Sequence, residues 1–163
     1  MFTVFTPETT SVAVSPNWNI ISVPMTVVDG RRSVLFPSAV SPAFGFNPIS
    51  GYVARDTMTP GVGYWLKFPS ATEVPVVGGV RPSDTLHLVS GWNLIGSISV
   101  PVAVSGIVQL PDSIVRSLFY GYDGGYTPAD SIIPGWGYWV KSASAGRLVV
   151  GSGGASAAAA RRP

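Results

Sequence analysis

The chain has no cysteine among its 163 residues and only one histidine, His87. The absence of cysteine excludes disulfides, a thiol nucleophile and thiolate ligands for zinc. A serine triad needs a histidine as its base, but His87 alternates with Leu86 and Leu88, so we expect it on a solvent or interface face. The eight carboxylates are scattered and form no obvious acid/base pair. We therefore expect no enzyme, no catalytic residue, no cofactor and no metal.

Charged residues are scarce as well. They make up 11% of the sequence, compared with about 25% in an ordinary soluble domain. A surface with so few charges has little to keep it monomeric, so the composition favours assembly with copies of the chain or with other surface proteins. The formal net charge is only +2, and no Lys/Arg stripe with interleaved aromatics occurs, so we expect no nucleic acid partner.

Long apolar runs are also missing. The stretch 85–111 carries no formal charge, but Gly, Ser, Asn and Pro interrupt it well short of the roughly 18 apolar residues that indicate a membrane helix. Residues 1–8 have neither the basic nor the apolar segment of a signal peptide. We predict no transmembrane segment, and the route of export stays open.

The sequence does contain an internal repeat. Residues 18–21 (WNII) return as 92–95 (WNLI), and residues 60–67 (PGVGYWLK) return as 134–141 (PGWGYWVK), both at a spacing of 74 positions. The sequence predicts that the register between these anchors holds without a gap, since Pro37 falls on Pro111 and Tyr52 on Tyr126. A repeat of this length is a better guide to architecture than any single motif, so the sequence predicts two copies of one supersecondary unit.

The repeat divides the chain into four parts. We expect an N-terminal extension that adds an edge strand (1–10), a first repeat (11–84), a second repeat (85–152) and a Gly/Ala-rich tail (153–163). A unit of this size is marginally stable alone, and no disulfide can compensate. The two repeats are therefore expected to pack against each other or against neighbouring chains.

The fold class follows from short apolar runs between turn residues. With 19 Gly and 15 Pro, long helices have little room, while runs rich in Val, Ile, Trp and Tyr indicate strands. We predict an all-β fold of two pseudo-symmetric small barrel- or sandwich-like repeats, with room for a short helical crossover in each. In the second copy the candidate helix is 107–118. Its counterpart, 33–44, contains two prolines and is limited to about one turn.

The most specific motif is Pro-Gly-x-Gly-Tyr-Trp-[Leu/Val]-Lys. Its glycines predict a turn and a close backbone approach, and strand alternation places Trp65 with Lys67, and Trp139 with Lys141, on one face. Under one interpretation both faces are packed and the lysine stem lies along the indole. Under the other, a partly exposed indole beside a lysine stacks on a sugar ring or holds a partner. The first is favoured, because residues present in both copies of a repeat usually serve its packing.

Other aromatic residues differ in what they predict. Trp136 occurs only in the second copy, where it replaces Val62, and is the better candidate for an exposed binding aromatic. Trp18 and Trp92 are expected in the core, each followed by an asparagine whose amide satisfies backbone groups in a turn. The candidate ligand-binding residues are Trp136, Trp139, Lys141, Tyr126, Trp65 and Lys67.

These motifs resemble a repeat of large secreted and surface proteins of bacteria, whose copies read approximately Gly-Trp-Asn-Leu-Ile-Gly, Tyr-Asp-Gly and Pro-Gly-x-Gly-Tyr-Trp-Val-Lys. Residues 91–96, 122–124 and 134–141 match it closely. The first copy departs from it, with Asn17 for the leading Gly and residues 48–49 (Pro-Ile) for Tyr-Asp. The resemblance implies an extracellular, β-rich, non-catalytic module and supplies no catalytic residues.

Three functions fit these observations. The favoured one is a structural subunit of an extracellular or cell-surface assembly such as a surface layer, filament or sheath, joined through apolar faces and strand edges. The alternative is a carbohydrate-binding or adhesion module that stacks glycans on exposed aromatics. The third is a spacer domain of a larger surface protein.

Overall fold

Short apolar segments separated by glycine and proline form most of the strands between residues 6 and 151. The computed structural model describes residues 6–151, and these form five antiparallel sheets with two short helical turns. The predicted all-β fold is confirmed. Every sheet in this range is open, so the barrel option is wrong. Positions 1–5 and 152–163, and with them the whole of the predicted tail, lie outside the described residues.

The first half of the chain forms two sheets. The three-stranded sheet has the order β1 (Glu8–Val14), β7 (Thr72–Val80), β3 (Met25–Thr26). The four-stranded sheet has the order β2 (Asn17–Ile21), β6 (Tyr64–Phe68), β4 (Ala43–Asn47), β5 (Gly51–Arg55). A single helical turn, α1 (Arg32–Leu35), leads from β3 to β4 and ends before Pro37, within the length expected for a segment with two prolines.

The second half forms three sheets. One has the order β11 (Val108–Leu110), β16 (Gly146–Gly151), β8 (Ser83–Leu88). The four-stranded sheet has the order β13 (Tyr126–Pro128), β12 (Tyr120–Tyr122), β15 (Tyr138–Ser142), β9 (Gly91–Ile95), and a two-stranded sheet joins β10 (Val102–Ala103) to β14 (Ser131–Ile132). A short 3-10 turn covers Val104–Gly106.

The helix predicted over 107–118 is wrong, because β11 occupies its first part. Residues 108–110 pair with 147–149 of β16, which offers them main-chain hydrogen bonds. Pro111 then lacks the amide that would continue a helix. No helix in the described range is long and apolar enough to cross a membrane.

Each half has its own apolar core between its larger sheets. In β6, Tyr64, Leu66 and Phe68 enter the first core, whereas Trp65 lies on the opposite face in a third cluster. The corresponding strand β15 repeats this arrangement, with Trp139 in the third cluster. The alternation predicted for the Tyr-Trp motif is therefore confirmed.

The spacing of 74 positions does not hold everywhere. On the four-stranded sheets, Phe44 pairs with Trp65 and Tyr120 pairs with Trp139. Strands β4 and β12 therefore correspond at a spacing of 76 positions (120 − 44), two more than the spacing between Trp65 and Trp139. Because side chains alternate along a strand with a period of two, this shift leaves the same face aromatic.

The third cluster joins the two halves. It consists of Ile20, Trp65, Leu94 and Trp139, with partly buried aromatics packed around it. Backbone hydrogen bonds also cross between the halves and occur in corresponding pairs. The bonds, each written donor amide to acceptor carbonyl, are Gly63 to Leu94 (3.1 Å), Gly137 to Ile20 (2.9 Å), Gly96 to Gly61 (3.0 Å) and Ser22 to Gly135 (2.9 Å).

The glycines of the Pro-Gly-x-Gly motif make this contact feasible. Gly61 and Gly135 have φ angles of 86° and 90°, a region that favours glycine. A Cβ atom on Gly63 would lie 2.8 Å from the Ile95 carbonyl oxygen, and one on Gly137 would lie 2.6 Å from Cγ2 of Ile20. The predicted turn and close backbone approach are both confirmed, and the backbone approached belongs to the other half.

Candidate functional site

The face of each four-stranded sheet that points away from its core is aromatic. In the first half these residues are Trp18, Phe44, Phe46, Tyr52 and Trp65, and in the second they are Trp92, Tyr120, Tyr122, Tyr126 and Trp139. Strand pairing holds them side by side, because residues directly opposite each other on neighbouring strands share a face.

The aromatic residues line two open clefts, each with a volume of about 520 Å³. We call the first the Trp18 cleft, which is lined by Trp18, Phe44, Tyr52, Trp65, Tyr122 and Tyr126. The second, the Trp92 cleft, is lined by Phe46, Trp92, Tyr120, Tyr126 and Trp139. Each cleft is completed by rings from the other half, and Tyr126 lines both. All of the lining side chains are aromatic.

Edge-to-face ring contacts fix the walls of the clefts. The ring centroids of Trp65 and Tyr122 are 4.9 Å apart at an interplanar angle of 74°. Those of Phe46 and Trp139 are also 4.9 Å apart, at 77°. This is the arrangement that aromatic quadrupoles prefer. The β4–β5 hairpin is therefore held against the opposite sheet by Phe46. The β12–β13 hairpin is held by Tyr122 and also by Tyr126, whose ring centroid lies 6.4 Å from that of Trp65.

Exposure separates the floor of each cleft from its walls. Trp65 and Trp139 are each only 8% exposed, whereas Trp18 and Trp92 are 37% and 40% exposed. The expectation that Trp18 and Trp92 lie in the core is therefore wrong. They occupy the outer ends of β2 and β9 on the aromatic face, where the other half does not reach to cover them.

The indole N–H groups of Trp65 and Trp139 lie in the floors of the two clefts. The N–H of Trp65 is buried and makes no hydrogen bond within residues 6–151, and a buried donor without a partner costs about 1–3 kcal/mol. The N–H of Trp139 is also buried, but it lies close enough to the Tyr126 phenol to lower the pKa of that group.

The two asparagines that follow the exposed tryptophans hold them in place. The Asn19 side chain donates to the carbonyls of Ser15 (2.8 Å) and Asn17 (3.1 Å) and accepts from the Ser15 amide (2.9 Å). Asn93 makes the same set of bonds to Val89 and Gly91. The predicted role of these amides in a turn is confirmed, and it fixes the start of the strand that carries each indole.

A lysine flanks each cleft. In strand register Lys67 lies directly opposite Trp18, and Lys141 lies directly opposite Trp92, so each lysine shares a face with its indole. The ion pairs of the described residues are Arg31–Asp29 and Arg81–Asp84. Neither lysine is therefore paired with a carboxylate in this range.

Trp136 lies outside both clefts. It is 39% exposed, and its indole donates a hydrogen bond of 2.9 Å to the carbonyl of Ala13. Its own carbonyl accepts a bond of 2.6 Å from the Ser22 hydroxyl. The side chain singled out by the sequence as a binding aromatic thus contacts the other half of the chain.

The shared residue Tyr126 presents a neutral phenol. Burial raises its pKa above the ordinary value, the nearby Tyr52 adds to the shift, and the indole of Trp139 opposes it. At neutral pH the hydroxyl is protonated and can both donate and accept hydrogen bonds. It therefore supplies a polar group at the boundary between the clefts.

His87 lies outside the two aromatic clefts, on β8 opposite Arg147 of β16. It lines a third cleft with Asp84, whose carboxylate is paired with Arg81, and this cleft adjoins the Trp92 cleft through Phe46 and Trp92. Within residues 6–151 there is no group of three or more His, Cys, Asp or Glu side chains that could hold a metal ion.

Comparison with known proteins yields no family model, no curated protein and no solved structure that matches the chain.

Proposed function

We propose that the protein is a non-catalytic glycan-binding or adhesion module that acts outside the cell or at its surface. The observation that carries this proposal is the pair of adjoining clefts lined only by aromatic side chains. Pyranose rings present apolar C–H faces that stack on indole and phenol rings. Concave, mostly apolar surfaces with a few polar groups are typical of ligand sites.

The exposure of the aromatic residues in the cleft walls favours a ligand-binding role for them over a purely structural one. A contiguous apolar patch on a protein surface usually marks an interaction site, and here the walls include Trp18, Trp92, Tyr52 and Tyr126. The buried Trp65 and Trp139 then act as a rigid floor, while the exposed indoles provide the stacking surface.

The two clefts share one origin in this view of the protein. We propose that the halves are copies of one sandwich-like unit related by a pseudo-twofold axis. The support is the reciprocal set of backbone bonds between the halves and the correspondence of β2–β6 with β9–β15. Duplication then yields two aromatic clefts related by the same axis.

A glycan array followed by titration calorimetry tests the function. Trp18→Ala and Trp92→Ala each remove one wall, so each should weaken binding by about tenfold, which corresponds to about 1.4 kcal/mol. Ile49→Ala is the matched control, because this side chain is 96% exposed and lines neither cleft.

Trp136→Ala distinguishes the clefts from the aromatic that sequence alone favours. Binding should survive this change in folded protein. If Trp136→Ala abolishes binding while Trp18→Ala and Trp92→Ala do not, the clefts are not the site. If the wild-type protein binds no glycan, the proposed function is wrong.

A structural subunit of an extracellular assembly remains a second candidate. It is supported by the edge strands of the two aromatic sheets, which carry little charge. β5 contains one charged residue, Arg55, and β2, β9 and β13 contain none. Edges with little charge favour strand addition between chains. Light scattering over a wide concentration range tests this candidate, and a monodisperse monomer throughout would contradict it.

A further inference from the structure

We infer that the two clefts bind an acidic polysaccharide, in which sugar rings stack on Trp18 and Trp92 while Lys67 and Lys141 pair with the anionic groups of those sugars. This inference rests on the proposed glycan-binding function and specifies the chemical class of the glycan. Its basis is the distribution of lysine over the molecule.

The chain contains two lysines in total, Lys67 and Lys141. Both lie on an aromatic face, each directly opposite the exposed indole of its own cleft. Directly opposed residues on antiparallel strands have Cβ atoms about 4.5–5.5 Å apart. The four-carbon stem can therefore lie along the indole with the ammonium group at the rim of the cleft.

The charges around the clefts complement an anion. The lining residues are all uncharged, so no carboxylate lies in the wall of either cleft. The ion pairs of residues 6–151 involve arginines only, which leaves both ammonium groups without a carboxylate partner in this range. A ligand carboxylate or sulfate would make the charge-assisted hydrogen bonds that the protein itself does not provide.

The repetition of the arrangement favours a polymer over a small acid. Each cleft pairs one stacking indole with one ammonium group, and Tyr126 lines both clefts. A chain of acidic sugars can occupy both clefts at once, and the second contact then forms at a high effective concentration.

The experiment compares pairs of polysaccharides that share a sugar backbone and differ in charge. Wild-type protein is titrated with polygalacturonate and with its fully methyl-esterified form, and in parallel with dextran sulfate and dextran. Comparison of the two pairs shows whether the protein recognises a uronate or a sulfate as the anionic group. We expect at least one acidic polymer to bind about tenfold more tightly than its neutral partner, with an affinity that falls as salt is added.

Matched variants assign the effect to the lysines. The double variant Lys67→Met/Lys141→Met should lose about tenfold in affinity for the acidic polymer and retain its affinity for the neutral one. Arg147→Met removes one positive charge from β16, outside both clefts, and should leave binding unchanged. Acetylation of the wild-type protein should reproduce the loss, whereas reductive methylation, which keeps the charge, should not.

The outcomes separate the inference from the function on which it rests. Equal binding of charged and neutral polymers, unaffected by the double variant, would overturn the inference and leave the glycan-binding function intact. Failure of the folded wild-type protein to bind either acidic polymer, while the glycan array still yields a ligand, would overturn the inference alone. Failure on the array as well would overturn both. Tighter binding of a single-stranded oligonucleotide than of any polysaccharide would also overturn the inference, because stacking rings and lysines would then serve bases and phosphates.

Discussion

The amide of Gly137 donates a hydrogen bond of 2.9 Å to the carbonyl of Ile20. The bond joins a turn of the second half to a strand of the first, next to the floor of the aromatic clefts. Gly63 makes the corresponding bond to Leu94 in the opposite direction. The clefts therefore depend on two backbone contacts that tolerate no side chain.

Substitution of Gly137 by alanine should destabilise the protein by about 1–3 kcal/mol, because the added Cβ would overpack the contact with Ile20. Gly106→Ala is the control, since a Cβ there meets nothing within 4 Å. This control should be neutral or stabilising by up to about 1 kcal/mol. Urea unfolding measures both changes, and equal free energies for the two variants would contradict the proposed close packing.

Loss of a turn-forming asparagine should also be costly. Asn93→Ala leaves the amide and carbonyl of Val89 without their side-chain partner, which should cost about 1–3 kcal/mol. Asn19→Ala should cost a similar amount, because it removes the same set of bonds. Asn47→Ala is a suitable comparison: its side chain accepts bonds from Ile49 and Ser50 in an exposed turn, where water can replace it. Thermal unfolding should rank Asn47→Ala as the mildest, and the reverse order would refute this explanation.

A buried pair of hydroxyls should couple strongly. Ser22 Oγ lies 2.7 Å from Ser97 Oγ, and the two also bond to main-chain groups of the second half at Trp136 and Gly135. Each serine-to-alanine change should cost about 1–3 kcal/mol. In a double-mutant cycle measured by guanidinium unfolding, the two changes should show an interaction energy of about 0.5–3 kcal/mol. Strict additivity would mean that the hydroxyls act independently.

Stability should fall at alkaline pH in part through Tyr138. Burial raises the pKa of this phenol, and the Ile133 amide, which donates to its oxygen at 2.9 Å, opposes the shift. Since the pKa is higher in the folded than in the unfolded state, the contribution to stability is complete below about pH 10, the unfolded value. It is lost as the pH rises from there through the folded pKa.

The Tyr138→Phe variant isolates this contribution. At pH 8 it should be less stable than wild type, because the Ile133 amide loses its acceptor. The difference should shrink above about pH 10 as only the wild type loses the contribution of this hydroxyl. Urea unfolding at both pH values provides the comparison, and parallel pH profiles would contradict it.

Several features of the site could be predicted from sequence. The Pro-Gly-x-Gly turns, the face of Trp65 and Trp139, and the roles of Asn19 and Asn93 all follow from local rules of turn chemistry and strand alternation. These predictions are correct because the interactions behind them join residues that are close in the chain or lie on paired strands.

Other features could not be predicted in this way. Trp18 and Trp92 carry the same alternation as core residues, and only the extent of the opposite half leaves them exposed. The sequence marks Trp136 only as a residue present in one copy of the repeat, which does not predict what its side chain contacts. Its contact with Ala13 depends on a residue far away in the chain. The segment 107–118 satisfies a helical pattern, but pairing with β16 overrides it.

The sequence by itself determined the repeat, the strand-rich composition, the turns and the face on which each motif residue lies, because these depend on periodicity and backbone preference over a few residues. The tertiary structure alone decided that two aromatic faces meet, that Phe46, Tyr122 and Tyr126 complete clefts in the opposite half, and that both lysines flank those clefts. Contacts between distant residues depend on how whole sheets pack, and no local pattern encodes them.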